Sequence, residues 1–394
     1  MKQAGRRRLI IHIGFHKTGS TAIQTGLWSN RTRLLKVGID YPILGVVGRG
    51  HHNIAYGMLG NWRYLRGFGN LRELRGYARR SGASTMILSA EEFDMFERRQ
   101  IERLSRAFEG WSIIIAAYLR RQDLMLQAVW AQRVRSGILD QSFDDWFDTL
   151  FYRADGTQEQ TRLLNRLDFE GRISDWAGVF GGEAIRIRPY ESGGLQEDIL
   201  RDFFDLVDLE VPREIRFENR ENVTPSFRTL EAIRAFLLSG DGRAAARNRA
   251  VYHIYRPPIY SRMVRMAEEL GWNNEPLQLV DRDKYDLLMA RYDAGNRAIA
   301  RIYLHREKLF LQPYRDHPIR IAGSVAGGDA AASLNILARE LAKRDGAEAA
   351  LNPWATRLVQ TFRARLARRP ELLPFLESHY RMRAVLRAIS HRLP

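Results

Sequence analysis

Short apolar runs that alternate with helical stretches limit the fold of this chain more than any other feature of its sequence. The runs are rich in β-branched residues and occupy residues 8–15, 85–89, 112–119 and 184–188. Stretches with the apolar spacing of helices lie between them, at 97–108, 124–136 and 162–180. Such runs are typical of buried parallel strands, and their alternation with helices predicts helices on both faces of one sheet. The expected fold is therefore α/β, with a central parallel β-sheet flanked by helices.

The composition of the chain excludes several kinds of segment and site. With 394 residues, 45% of them hydrophobic, the chain can bury one large core or two ordinary ones. No stretch approaches the roughly 20 uninterrupted apolar residues of a membrane helix, and the apolar part of the N-terminus is too short for a secretory signal. The absence of cysteine excludes disulfides, thiolate metal sites and a cysteine nucleophile. We therefore expect a cytoplasmic protein.

The charge balance indicates an anionic ligand without identifying it. The sequence has 62 lysines and arginines against 46 acidic residues, a formal net charge of +16. Such an excess attracts nucleotides, sulfated or phosphorylated glycans, nucleic acids and acidic lipids alike. Only six of the 62 cations are lysines, and one of them, Lys17, lies inside a motif.

The pattern changes along the second half of the chain. From about residue 226 only helical stretches follow, and the arginine-rich segment 241–256 is interpreted as a solvated face. We predict a main α/β domain over residues 8–312 and a helical C-terminal extension of unknown role over residues 313–394.

A short glycine-containing loop joins the first predicted strand to a helix. In this position backbone N–H groups and the helix dipole converge on a phosphate. The loop, residues 14–21, reads Gly-Phe-His-Lys-Thr-Gly-Ser-Thr. It differs from the P-loop of nucleoside triphosphatases, in which the lysine follows the last glycine rather than preceding it.

Two segments resemble the donor-binding elements of sulfotransferases that use 3′-phosphoadenosine 5′-phosphosulfate (PAPS). Lys17-Thr18-Gly19-Ser20-Thr21 resembles the loop that binds the 5′-phosphosulfate in this family, particularly in bacterial members. The segment 118–123, with Arg120 at a strand end, resembles the element that binds the 3′-phosphate. Weaker likenesses follow in the family's order at residues 131–134, 188–191, 222–226 and 295–310, so the resemblance covers about residues 8–312.

The resemblance implies a fold similar to that of P-loop NTPases and an in-line transfer of a sulfuryl group. PAPS would be the donor, and the acceptor would be a hydroxyl or an amine on a glycan or a small molecule, with no metal required. Lys17 would stabilise the leaving group, and Arg120 would bind the 3′-phosphate. Thr18, Gly19, Ser20 and Thr21 would complete the donor site. One position departs from the family: Ala128 replaces a serine that usually binds the 3′-phosphate, so Gln127, Gln132 or an arginine compensates, or the donor is held more loosely.

The residue that takes the acceptor's proton is open between two pairs. Glu91 and Glu92 follow the second predicted strand at the sheet edge where ligands gather. His51 and His52 lie in the predicted loop 48–53. We favour Glu91, with His51 second, although either pair also suits a plain structural role. His16 could donate a hydrogen bond to the sulfuryl oxygens, whereas His12 is expected to be an interior histidine.

Two other functional classes compete with this interpretation. A kinase or nucleoside triphosphatase would use residues 86–92 to hold a metal, but the position of the lysine disfavours it. A polyanion-binding protein without catalysis would need only the arginine excess, and no nucleic-acid motif accompanies that charge. Apolar and aromatic residues at 250–266 suit a lipid-like pocket or a peripheral membrane contact, and the sequence leaves the acceptor and the oligomeric state open.

Overall fold

The structure is a computed structural model, and it describes residues 6–153, 156–191, 198–212, 215, 225–238, 258–272, 279–314 and 335–337. The strands are β1 (Arg8–His12), β2 (Ile39–Asp40), β3 (Thr85–Ser89), β4 (Ser112–Leu119) and β5 (Ile185–Pro189). The helices are α1 (Ser20–Lys36), α2 (His52–Leu59), α3 (Leu71–Arg80), α4 (Arg98–Ala107), α5 (Gln122–Arg135), α6 (Phe143–Phe151), α7 (Gln158–Leu167), α8 (Phe169–Phe180), α9 (Ile199–Leu206), α10 (Phe227–Leu238), α11 (Pro258–Glu269) and α12 (Arg282–Leu304). Short 3₁₀ helices occupy Glu91–Met95 and Gly182–Ala184.

The five strands form one parallel sheet in the order β2-β3-β1-β4-β5. Strand β1 lies at the centre, where Ile10 is paired with Ile87 of β3 on one side and Ile114 of β4 on the other. The predicted α/β fold with a central parallel sheet is therefore confirmed.

This strand order brings three chain segments together. The chain leaves β1 towards β3 and later returns to the other side of β1 as β4, so the sheet changes direction at β1. In open parallel sheets, ligands bind at the carboxyl ends of the strands where such a change occurs. The segments that follow β1, β3 and β4 are therefore neighbours at this edge.

Helices pack on both faces of the sheet through apolar side chains. On one face, Ile23 and Leu27 of α1 and Phe203 of α9 belong to the same buried cluster as Ile10 and Tyr118 of the sheet. On the opposite face, α8 packs against β4 and β5 and also contacts α4 and α12. The sheet is thus covered as a parallel sheet requires.

The sequence predicts the long apolar strands well. The expected strands at 85–89 and 112–119 are confirmed to the residue. The first strand is shorter than expected and ends at His12, although the N–H groups of Ile13 and Phe15 still donate to carbonyls of β4. Strand β2, which has only two residues, is too short to give a sequence pattern.

One predicted helix and one predicted loop need correction. The stretch 162–180 contains two helices, α7 and α8, because the backbone is not helical at Asp168, whose side chain accepts a hydrogen bond from the Gly171 N–H and caps α8. The predicted loop 48–53 is also too long, since α2 already begins at His52.

The chain divides into two compact units. The first comprises residues 1–125, 152–221 and 282–316, and contains the sheet. The second comprises residues 126–151, 222–281 and 317–394. Within the second, Trp130 Nε1 donates to the Gln141 carbonyl at 3.2 Å, and Arg234 Nε donates to the Asp140 carbonyl at 3.1 Å.

Part of the predicted organisation lies outside the described residues. This holds for the segment 241–256 and for all of the predicted C-terminal extension except residues 313–314 and 335–337. The boundary between residues 312 and 313 stays a prediction. Within the described ranges, no helix combines the length and the apolar character that crossing a membrane would need.

Candidate functional site

The loop after β1 is held in shape by its own hydroxyl groups. Thr18 Oγ1 donates to the Phe15 carbonyl at 2.6 Å, and Ser20 Oγ donates to the same carbonyl at 3.1 Å. Both side chains are buried, whereas Thr21 is exposed. The two buried hydroxyls therefore brace the loop, and a ligand would meet its backbone rather than these oxygens.

The amino end of α1 lacks the groups that usually neutralise a helix N-terminus. Its N-cap is Gly19, at φ +79°, which offers no side-chain cap, and the first turn contains no acidic residue. The first N–H groups of a helix have no partner within the helix, and the helix dipole makes that end positive. The turn at Ser20 and Thr21 is therefore suited to an anion such as phosphate.

Gly19 is closely packed and has a left-handed backbone, so a larger residue there would be strained. A Cβ at this position would lie 2.3 Å from Ile199 Cδ1 and 3.0 Å from Tyr190 Cε2. Tyr190 is itself fixed, because its N–H donates to the Leu119 carbonyl at 2.6 Å. The loop after β1 and the residues that follow β4 and β5 thus form one packed unit.

A hydrogen bond links the two predicted donor-binding elements. Arg120 Nη1 donates to the Lys17 carbonyl at 3.2 Å. Lys17 is partly buried and has a left-handed backbone, with φ +66°. The structure therefore brings Lys17 and Arg120 together, although they are far apart in the sequence.

Arg120 carries a partly buried charge. Among the described residues it forms no ion pair with a carboxylate, and its nearest aromatic contact is the Tyr190 ring, 5.8 Å away. Burial lowers the pKa of its guanidinium. A bound anion would compensate for that cost.

The neighbouring arginine has a different environment. Arg121 donates to both carboxylate oxygens of Asp123, at 2.7 and 3.0 Å, and also to the Gln312 carbonyl. Its burial opposes the charge, but the Asp123 carboxylate outweighs this and raises its pKa. Arg121 is therefore paired with Asp123, whereas Arg120 has no such carboxylate among the described residues.

Glu92 is neutralised within the site. Its carboxylate lies 2.5 Å from His52 Nδ1 and accepts a hydrogen bond from the Tyr56 hydroxyl at 3.1 Å. Burial favours the neutral form of each partner, yet their mutual hydrogen bond and charge outweigh it. The pKa of Glu92 is therefore lowered and that of His52 is raised. Glu92 and His52 form an ion pair that leaves little room for a catalytic role.

Glu91 lies in the same turn with its carboxylate accessible. Its side chain is 28% exposed, and its Oε1 is 4.0 Å from His16 Nε2. Within the part of the chain that the structure describes, it makes no hydrogen bond. Its backbone packs against the loop after β1, because a Cβ on Gly14 would lie 3.3 Å from Glu91 Cα. Glu91 is therefore the more accessible carboxylate of the pair.

His16 contacts two residues that the sequence analysis did not select. Its Nδ1 is 2.8 Å from Asp94 Oδ2, and its Nε2 is 3.3 Å from Arg166 Nη2. Asp94 lies three residues after Glu91, so the turn periodicity could have suggested it. Arg166, in α7, has no local sequence signal.

Both ring nitrogens of His51 are engaged by backbone groups, and its selection as the second candidate base stays a prediction. The residue is fully buried; its Nε2 is 3.0 Å from the Pro42 carbonyl, and its Nδ1 accepts from the Ser89 N–H at 3.1 Å. Burial lowers its pKa to about 3. His12 is fully buried as expected, with Nδ1 2.8 Å from Ser89 Oγ.

One group of residues has the spacing of metal ligands. Single ligand atoms of His16, Glu91 and Glu92 lie within 4.8 Å of one another. Both oxygens of Glu92 are already engaged by His52 and Tyr56, so a metal would have to displace these partners. The set is therefore a poor fit for a cation.

The residues expected to replace the missing serine lie on α5. Ala128 is buried, and Gln127 Oε1 accepts a hydrogen bond from the Leu279 N–H at 2.6 Å. That oxygen is thus engaged within the second unit. Whether Gln127 or Gln132 compensates for Ala128 stays a prediction.

Comparisons with known proteins complete the description. No protein-family model matches this chain, and no curated protein matches it significantly. Among solved structures, the chain is similar to a sulfotransferase from Alicyclobacillus acidocaldarius, with a TM-score of 0.38 and 14% sequence identity. The match covers 62% of this chain and 96% of that chain.

Proposed function

We propose that this chain is a sulfotransferase that moves a sulfuryl group from PAPS to an acceptor hydroxyl or amine. The observation that carries the proposal is the partly buried Arg120 guanidinium, which has no carboxylate partner among the described residues and is bonded to the Lys17 carbonyl. PAPS has an anionic group at each end of its ribose. One loop with an open helix N-terminus and one unpaired arginine beside it suit such a doubly anionic nucleotide.

In the proposed donor site, the loop after β1 binds the 5′-phosphosulfate. The N–H groups at the start of α1 and the ammonium of Lys17 stabilise the negative charge that develops on the leaving phosphate oxygen. Arg120 binds the 3′-phosphate through its planar guanidinium. The product nucleotide is adenosine 3′,5′-bisphosphate.

Glu91 is the proposed base. It accepts the proton of the acceptor hydroxyl while the acceptor oxygen forms its bond to sulfur and the bond between sulfur and the phosphate oxygen breaks. The accessible carboxylate and its position beside the loop support this role. The site needs no metal in this mechanism.

Labelled donor tests the proposal directly. The full chain is incubated with PAPS carrying ³⁵S in its sulfuryl group and with panels of glycans, phenols, alcohols and amines, and labelled products are separated and identified. We expect label on one class of acceptor together with release of adenosine 3′,5′-bisphosphate. Lys17→Ala should lower the rate about a hundredfold or more, because a positioned donor at the leaving group is lost.

Two outcomes would contradict the proposal. Turnover of ATP in the presence of Mg²⁺, with no turnover of PAPS, would instead indicate a kinase or a nucleoside triphosphatase. Binding of sulfated glycans or nucleic acid that weakens steeply with salt, without turnover of either nucleotide, would indicate a polyanion-binding protein.

A further inference from the structure

Two residues of opposite charge hold the imidazole of His16 from its two sides. Asp94 lies at Nδ1, with Oδ2 at 2.8 Å, and its side chain is 0% exposed. Arg166 lies at Nε2, with Nη2 at 3.3 Å, and its Nε is 3.7 Å from the same oxygen of Asp94. The three groups come from the loop after β1, the turn after β3 and helix α7.

The hydrogen-bonding capacities of these neighbours select one tautomer of His16. A carboxylate can only accept hydrogen bonds, so Nδ1 must carry the proton that Asp94 Oδ2 receives. A guanidinium can only donate, so Nε2 must present its lone pair to Arg166. Both contacts require the same neutral imidazole. In this form His16 has no Nε2–H to donate to a sulfuryl oxygen, contrary to the sequence-based expectation.

His16 Nε2 also lies near the base of the proposed reaction. His16 Nε2 is 4.0 Å from Glu91 Oε1, and Glu91 makes no hydrogen bond within the described ranges. The turn Glu91–Met95 therefore supplies both the proposed base and the carboxylate that orients the histidine beside it.

We propose that Asp94 is a positioning residue that fixes His16 with its proton on Nδ1, so that Nε2 can take over the proton that Glu91 removes from the acceptor. This inference rests on the proposed function. The acceptor O–H bond breaks as its oxygen bonds to sulfur, and the proton goes first to the Glu91 carboxylate. It then passes to His16 Nε2, which gives up its hydrogen bond to Arg166. Asp94 stabilises the resulting imidazolium, and Glu91 is again an anion.

The tautomer can be read without any substrate. Long-range ¹H–¹⁵N spectra of the full chain, labelled at the histidine ring nitrogens, separate protonated from unprotonated nitrogens, and His16→Gln identifies the His16 signals. At neutral pH we expect a protonated Nδ1 and an unprotonated Nε2 in the wild-type protein. A protonated Nε2 with an unprotonated Nδ1 would overturn the proposal.

A double-mutant cycle tests whether Asp94 acts through His16. The rate measured is the release of adenosine 3′,5′-bisphosphate from PAPS with water as the acceptor. Asp94→Asn and His16→Gln should each lower this rate at least tenfold, and the double variant should lose little more than either single one, because both changes interrupt the same proton path. Binding of the bisphosphate should be unchanged. Independent, additive losses would refute a positioning role.

Asp202→Asn provides the matched control. Asp202 is also a buried carboxylate, and it accepts a hydrogen bond from the Tyr118 hydroxyl at 2.6 Å on the face of the sheet covered by α9. This variant should lower the melting temperature but leave the His16 tautomer and the rate unchanged.

The two proposals fail separately: a chain that does not turn over PAPS refutes the function, whereas the wrong tautomer refutes only the role of Asp94.

Discussion

At the scale of single residues, adjacent glutamates differ because their partners differ. Glu92 is paired with His52 and Tyr56, while Glu91 has an accessible carboxylate beside the loop after β1. The sequence could select the pair, since both residues follow an apolar strand. It could not rank them reliably against His51, because the burial of His51 depends on Pro42 and Ser89 in other segments.

Exchange of each glutamate for glutamine separates the two roles. Glu91→Gln should lower the rate of sulfuryl transfer on the order of a hundredfold, since a general base is lost, and leave the melting temperature nearly unchanged. Glu92→Gln should instead lower the free energy of unfolding by about 3 kcal/mol, because His52 loses its buried ionic partner. Steady-state rates and urea unfolding of both variants measure this, and the reverse pattern would contradict the assignment.

At the scale of elements, local sequence patterns predict those strands that have long apolar runs. Strands β3 and β4 have continuous apolar runs and are found at their expected positions. The break between α7 and α8 is set by the cap at Asp168, which an apolar repeat does not reveal. The reciprocal contact between α5 and α12 is likewise invisible in either segment alone. There Gln122 Nε2 donates to Asn296 Oδ1 at 2.9 Å, and Asn296 Nδ2 donates back at 3.1 Å.

Loss of this amide pair should destabilise the first unit. Asn296→Leu leaves the buried Gln122 Oε1 without the donor that it has in the wild-type chain, so the free energy of unfolding should fall by about 1–3 kcal/mol. The control is Asp293→Asn on the same helix, which removes an exposed ion pair with Arg297 and should cost less than about 1 kcal/mol. Urea unfolding followed by circular dichroism measures both, and equal losses would argue against the role of the amide pair.

At the scale of the whole molecule, strand order explains how distant motifs become one site. The order β2-β3-β1-β4-β5 makes the ends of β3, β1 and β4 adjacent, which brings Glu91, Lys17 and Arg120 to one edge. The sequence predicts a parallel sheet, and hence that its carboxyl edge carries the site, but not which strands are neighbours. That order depends on packing between distant segments.

Buried neutral histidines should make stability depend on pH. Burial lowers the pKa of His12 and of His51 from the usual 6.5 to about 3. Between these values the unfolded chain binds the protons and the folded chain does not, so stability falls as the pH falls from 6.5. The pKa of His52 is raised, so this residue is protonated in both the folded and the unfolded chain well below pH 6.5. It therefore adds little to the pH dependence of the free energy of unfolding there.

The change of the free energy of unfolding with pH can be measured in a pH range where few carboxylates titrate. Between pH 6 and pH 5, the two histidines together should reduce the free energy of unfolding by about 2–3 kcal/mol. Urea unfolding at several pH values tests this, and His12→Gln should remove about half of the slope. A free energy of unfolding that stays constant or rises as the pH falls through this window would show that the two rings are not held neutral.

The binding of the donor nucleotide tests the central claim most directly. Isothermal titration calorimetry measures the affinities of the wild-type chain and of Arg120→Ala for two nucleotides. These are adenosine 3′,5′-bisphosphate and adenosine 5′-monophosphate, which differ only in the 3′-phosphate. The wild-type chain should prefer the bisphosphate by about tenfold or more, the value of one charge-assisted contact, and Arg120→Ala should abolish the preference. Equal affinity of the wild-type chain for both nucleotides, or a preference that survives in Arg120→Ala, would contradict the account.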